Sequence, residues 1–188
     1  MEIITENWLE EMLQLCQQKD VGMVGAKLYY PDDTIQHAGV VVGLGGVAAH
    51  VLCKLPRDAE GYMGRLRCVQ EISAVTAACM MVKTSVFKAV GGFDEELKVA
   101  FNDIDLCMKV RKYGVKIIFT PYAELYHYES KSRGMEDTPE KQLRFSREVN
   151  CFRRKWEREL LKGDPYYNPN LTLNNTDCSL RKQEKNGD

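Results

Sequence analysis

The chain has 188 residues, which predicts one domain, or one domain with a tail. Hydrophobic residues make up 44 % and charged residues 28 %, which excludes wholesale disorder. Lys and Arg number 26 against 27 Asp and Glu, a net charge of −1 that argues against a nucleic-acid binder, since phosphate neutralisation needs a basic excess.

Residues 7–18 read as a short amphipathic helix, with Trp8, Leu9, Met12, Leu13 and Cys16 at helical spacing and Asn7 or Thr5 as cap. Val21 to Tyr30 predicts a strand that stops at the turn signal Pro31-Asp32-Asp33, and Ile35 to Val42 predicts a second. Gly43 to Gly46 is a flexible loop, and Arg57 to Arg67 is polar and irregular. The apolar run Ile72 to Val82 predicts a strand buried on both faces of a helix-covered sheet. A short helix over 85–90 should stop at Gly91-Gly92, and another over 103–113 at Gly114. Val115 to Thr120 and Ala123 to Tyr128 read as strands. Residues 139–162 predict the longest helix, capped by Thr138, with Pro139 in its first turn and Gly163 after its end. Residues 1–163 then form the domain, and 164–188 a polar tail running over the surface or disordered. Strands alternating with helices give an α/β class: a mixed, mostly parallel sheet flanked by helices, with a C-terminal helix.

Seven cysteines, none closer than 11 residues to the next, support neither a zinc ribbon nor a redox pair, and suit a reducing cytoplasm. The longest uncharged stretch, Ala38 to Leu52, is too short and too glycine-rich to span a membrane. Glu2 and Glu6 stand where a secretory leader needs positive charge, which argues against export.

The densest polar constellation is Asn102-Asp103-x-Asp105, followed by His127. On a helix starting near Asn102 the two acids project about 200° apart, so they serve different ends. Asp105, near the third helical position, reads as a cap acid. Asp103 in the first turn could face a cleft as a general base, or could be one more acid at a helix start. His127 reads either as a hydrogen-bonded structural residue or as a metal ligand. Lys131 and Arg133, before Gly134, make either a phosphate-facing loop or a solvated one. The charged face of the last helix reads as ion-paired, with a membrane-surface role as the secondary reading. Gly43-x-Gly45-x-x-Ala48 after an apolar strand competes as a dinucleotide motif, although Pro56 and the polar stretch after it interrupt the unit that motif requires.

The segments VGAKLYYPDDTIQHAGVVVGLGG, SAVTAACMMVKTSVFKAVGGFDEEL, AFNDIDLCMKVRKYG and PYAELYHYESKSRG, in this order, resemble the C-terminal half of a bacterial family 2 glycosyltransferase of GT-A fold. The resemblance implies a partial GT-A-like fold and transfer of a sugar, with inversion, from a nucleotide-sugar to a glycan or lipid-linked hydroxyl. It implies Asp103 as the base, with Asn102 in place of the family's first acid. It further implies Gly91-Gly92 lining the sugar and acceptor, and His127 on a divalent metal, Mn²⁺ or Mg²⁺, in the intact enzyme. His37, within Gln36-His37-Ala38-Gly39, is expected to face the cleft, and Asp105, Lys131 and Arg133 to belong to the donor and acceptor surroundings. The family's nucleotide-binding region and its Asp-x-Asp motif should precede Trp8. The chain is therefore expected to be a fragment, inactive alone, without a tight metal site of its own, and pairing with a second copy to cover exposed faces. A cytoplasmic location is expected, at the inner face of the membrane if it associates peripherally. A non-enzymatic interaction module, or half of a split enzyme, is the alternative, and a dinucleotide-dependent oxidoreductase a further one.

Overall fold

The computed structural model describes residues 1–128 and 138–182. The elements are β1 (Glu2–Ile3), α1 (Trp8–Cys16), β2 (Val21–Tyr29), β3 (Ile35–His37), β4 (Val40–Val42), β5 (Ala48–His50), β6 (Gln70–Glu71) and β7 (Met80–Val82). There follow α2 (Thr84–Ala89), α3 (Asn102–Lys112), β8 (Lys116–Tyr126), α4 (Pro139–Lys155) and α5 (Glu157–Lys162).

The α/β class and the helix-flanked mixed sheet are borne out. The parallel character lies in the long central pair, where β2 and β8 run together from Val21↔Lys116 to Tyr29↔Tyr126. Short antiparallel strands complete the sheet: β3 and β7 on β2, β1 and β6 on β8. All nine residues of β2 are buried, Lys27 included. On one face α1 lays Met12 and Cys16 over Val24, Ala26, Leu28, Ile118 and Leu125. On the other, α3, α4 and the break after α4 bring Leu106, Cys107, Phe152 and Trp156 against Val75 and Phe119. Each such side chain, fully buried, contributes about 1.5–3 kcal/mol. The central pair is dense because Gly25 has no side chain: a Cβ there would lie 2.3 Å from Val75 Cγ1.

Several boundaries differ from expectation. Ile72 to Val82 is not one strand. Thr76 turns the chain into a 3₁₀ turn, Ala77–Cys79, its hydroxyl accepting from the Ala78 amide at 3.3 Å, and only Met80–Val82 pairs with β2. Ile35 to Val42 is broken by Gly39, whose φ of 103° lies in the left-handed region that favours glycine. The two strands expected between Val115 and Tyr128 are instead one, β8 (Lys116–Tyr126). Asn7 makes no capping bond with its side chain, and the Thr5 hydroxyl accepts from the Glu124 amide at 3.2 Å, tying the chain start to β8. Thr138 does cap α4, accepting from the Lys141 amide at 3.4 Å. The long helix is interrupted at Trp156 (φ −116°, ψ 22°), where the indole turns inward.

Residues 164–182 are seated on the body: Tyr167, Leu171 and Cys178 are buried. The Asp164 carboxylate accepts from the Val42 amide at 2.8 Å and the Ser73 hydroxyl at 2.6 Å. The Leu173 and Thr176 carbonyls accept from the amides of Gly45 (2.8 Å) and Leu52 (2.6 Å). Among the described residues no helix is long and apolar enough to cross a membrane.

Candidate active site

Three strand ends deliver the three histidines of the sequence to one region: β3 carries Gln36 and His37, β5 ends at His50, and β8 runs into His127. The Gln36 amide reaches His127 through both of its ends. Its nitrogen donates to the His127 carbonyl at 3.3 Å, and its oxygen lies 2.8 Å from His127 Nδ1. Because that oxygen can only accept, Nδ1 carries the proton in this contact. His37 is wholly buried. Its Nε2 accepts from the Thr76 amide at 3.4 Å, and its Nδ1 lies 3.0 Å from His50 Nδ1, the rings meeting edge to face. Burial first, then His50 and His127, hold the His37 pKa well below 6.5. A cleft of about 290 Å³ opens here, lined by Tyr30, Gln36, His50, Cys53, Thr76 and His127.

Asp103 sits half-buried in the first turn of α3. One carboxylate oxygen accepts from the Ala77 amide at 3.0 Å and the other from the Ile104 amide at 2.9 Å. Ala77 follows Thr76, so the turn that closes the histidine cleft also holds Asp103: the Thr76 amide goes to His37 and the next to Asp103. A carboxylate has about four lone-pair sites, and two remain after these bonds.

Asp105 is not a cap. It is fully buried, and its carboxylate receives the Trp156 indole N–H at 2.8 Å and the ammonium groups of Lys155 at 2.8 Å and Lys109 at 3.2 Å. Asn102 opens α3 beside Asp103. Gly91 and Gly92 take φ of 78° and 63° and do stop α2, but the Gly92 carbonyl is held by Lys109 on the flank of α3, not at the histidine cleft. Lys131 and Arg133 lie outside the described residues. After Gly43 the chain makes a 3₁₀ turn and then β5, without the helix that a dinucleotide motif requires. Among the described residues no three His, Cys, Asp or Glu side chains are grouped to hold a metal ion. Hard divalent cations want about six oxygen ligands, so one imidazole nitrogen from His127 does not fit such an ion by itself.

Sequence reasoning missed His50 and the Thr76-Ala77 amides. His50 had one visible mark, a polar residue inside an otherwise apolar stretch. The amides had none, because any residue but proline supplies them.

The profile described as Glycosyltransferase like family 2 matches residues 2–148. The protein of Sinorhizobium fredii named uncharacterized protein y4gI is 57 % identical over 181 residues, covering 96 % of this chain and 20 % of that protein. O-antigen biosynthesis protein RfbC of Myxococcus xanthus is 38 % identical over 189 residues, covering 100 % of this chain and 14 % of that protein. N-acetylglucosaminyl-diphospho-decaprenol L-rhamnosyltransferase of Mycobacterium tuberculosis is 34 % identical over 62 residues, 33 % of this chain and 20 % of that protein. The chain thus spans a fifth or less of the length of these relatives. With the profile spanning β1 into α4, over the three histidines and Asp103, the chain belongs to glycosyltransferase-like family 2.

Proposed function

We propose that this chain is the acceptor-side part of an enzyme that transfers a sugar from a nucleotide-sugar donor to a hydroxyl of a glycan or lipid-linked acceptor. The observation that carries this reading is Asp103, its carboxylate aligned by two backbone amides beside the histidine cleft. Asp103 takes the proton from the acceptor hydroxyl while that oxygen forms its bond to the anomeric carbon. The bond from that carbon to the donor phosphate breaks, the nucleoside diphosphate leaves with its electron pair, and the configuration inverts. Asn102 and the histidine cleft border the reacting groups. A Mn²⁺ or Mg²⁺ ion on the donor diphosphate would need ligands from outside the described residues. The relatives named for O-antigen biosynthesis and rhamnosyl transfer support a polysaccharide product. Seven free cysteines suit the cytoplasmic side, where a lipid-linked acceptor would bring the enzyme to the inner membrane face.

The test uses the natural protein that carries this sequence, supplied with a panel of nucleotide-sugars and acceptors, with product linkage read by NMR. An inverted anomer is expected. Asp103→Asn should lower turnover about 10²–10⁴-fold with donor affinity unchanged. Near-normal turnover in that variant, or retention at the anomeric carbon, rejects the mechanism.

A further inference from the structure

A second cleft, of about 800 Å³, shares no lining residue with the histidine cleft. Lys27 lines it although only 3 % exposed, in the middle of a strand whose other residues are apolar or small, apart from Tyr29. Its ammonium has three N–H donors, and the described acceptor is one carbonyl, that of Leu66, at 3.2 Å. Glu124, the carboxylate whose charge acts on it, makes no described ion pair with it. Glu124 gives one oxygen to the Tyr29 hydroxyl and the other to Arg57, at 2.8 Å. Burial pushes Lys27 toward its neutral form. Glu124 opposes that, while Arg67 and Arg57 add to it. Around buried Lys27 the cleft thus places two further cations, the half-buried Arg57, which bridges Glu124 and Asp33 (3.5 Å), and the exposed Arg67, which donates to the Asp58 carbonyl at 2.6 Å. The outer edge is the reverse: Asp32, Asp33 and Asp58 are exposed there.

A buried ammonium with spare donors and a cationic neighbourhood is stabilised by an anionic oxygen group that enters the cleft. The acidic edge repels a compact dianion but accepts hydrogen bonds from hydroxyls. The cleft volume lies in the range that encloses a small ligand. We propose that this cleft binds a saccharide acid, with its carboxylate or phosphate on Lys27 between Arg57 and Arg67, and its hydroxyls on the carboxylates at the edge. This site does not depend on Asp103 acting as a base.

Isothermal titration calorimetry on the 188-residue chain tests it with four probes: D-glucuronate, D-glucose 6-phosphate, D-glucose and inorganic phosphate. One of the two sugar acids should bind saturably, with D-glucose and inorganic phosphate each weaker by about tenfold or more. Which acid binds tells carboxylate from phosphate ester. Lys27→Met, which keeps the length of the buried side chain, should weaken the acid about tenfold and leave any residual glucose binding unchanged. Arg67→Gln, at an exposed position, should also weaken the acid several-fold and flatten its salt dependence, so the outcome does not hang on how Lys27→Met folds. Equal affinity for D-glucose and the acids overturns the proposal. So does inorganic phosphate binding as tightly as the sugar acids, the absence of saturable binding of either acid, or unaltered acid binding in both variants.

Discussion

Asp103 and Asp105 are two positions apart on α3 and answer to different parts of the molecule. Asp103 is held by amides beside a cleft, whereas Asp105 is the buried anchor of Trp156, Lys155 and Lys109. Removing Asp105 leaves two ammonium groups and an indole N–H converging on a void. Asp105→Ala should therefore lower the unfolding free energy by about 3–5 kcal/mol in urea titrations, and a loss below about 1 kcal/mol would mean that water replaces the carboxylate. The first-turn placement of Asp103 was legible, because the run of helix-spaced residues and Gly114 fix where α3 lies. The role of Asp105 was not, because its partner returns 51 residues later and only the packing of α4 brings it there. His37 has a different signature. It is neutral in the fold, while the unfolded chain titrates at the ordinary pKa of about 6.5. Between those values the unfolded state binds the extra proton, so stability from His37 is present above about pH 6.5 and declines as pH falls below it. Urea unfolding from about pH 7 to about pH 5 should show this decline, and His37→Gln should flatten it. An unchanged slope in the variant would place the titration elsewhere.

Among the elements, sequence periodicity located every major helix, and most of the strands in outline. Its errors have common causes. An apolar run such as Ile72 to Val82 shows that residues are covered but not that the chain turns at Thr76, since hydroxyl-capped turns use residues equally common in strands. The division of the last helix depends on a buried indole meeting Asp105, again a tertiary event. The β2 strand was read correctly, and its close approach to the 74–75 segment sets a sharp demand at one position. Gly25→Ala would place a methyl 2.3 Å from Val75 Cγ1. The expected loss is about 1–3 kcal/mol, measured by thermal or chemical unfolding. Combining it with Val75→Ala should recover part of that loss, because the two changes share one volume. Additive losses in the double variant would show that the strain lies in the backbone instead.

At the scale of the whole molecule, β7 bonds to β2 and, among the described pairings, to no other strand, while Leu9 and Leu13 on α1 stand 47 % and 44 % exposed. Open strand edges invite pairing, and apolar surface beside them favours burial against another chain. Static light scattering at micromolar concentration should accordingly report a dimer or larger species, with an interface above roughly 1,000 Å². A monomeric mass would mean that these faces are covered within one chain.

The order in which the chain leaves the ribosome gives the 164–182 segment a further significance. Asp164 reaches back 122 residues to the Val42 amide, and Thr176, whose carbonyl takes the Leu52 amide, lines the histidine cleft. At about 5–20 residues per second of synthesis, the amides of Val42 and Leu52 wait several seconds or more for these partners. Such non-local closures are also the slow ones in folding, because loop entropy is lost before any contact compensates it. The wall of the histidine cleft is thus shared between residues made early and residues made after α3, so it cannot close until 164–182 has been synthesised.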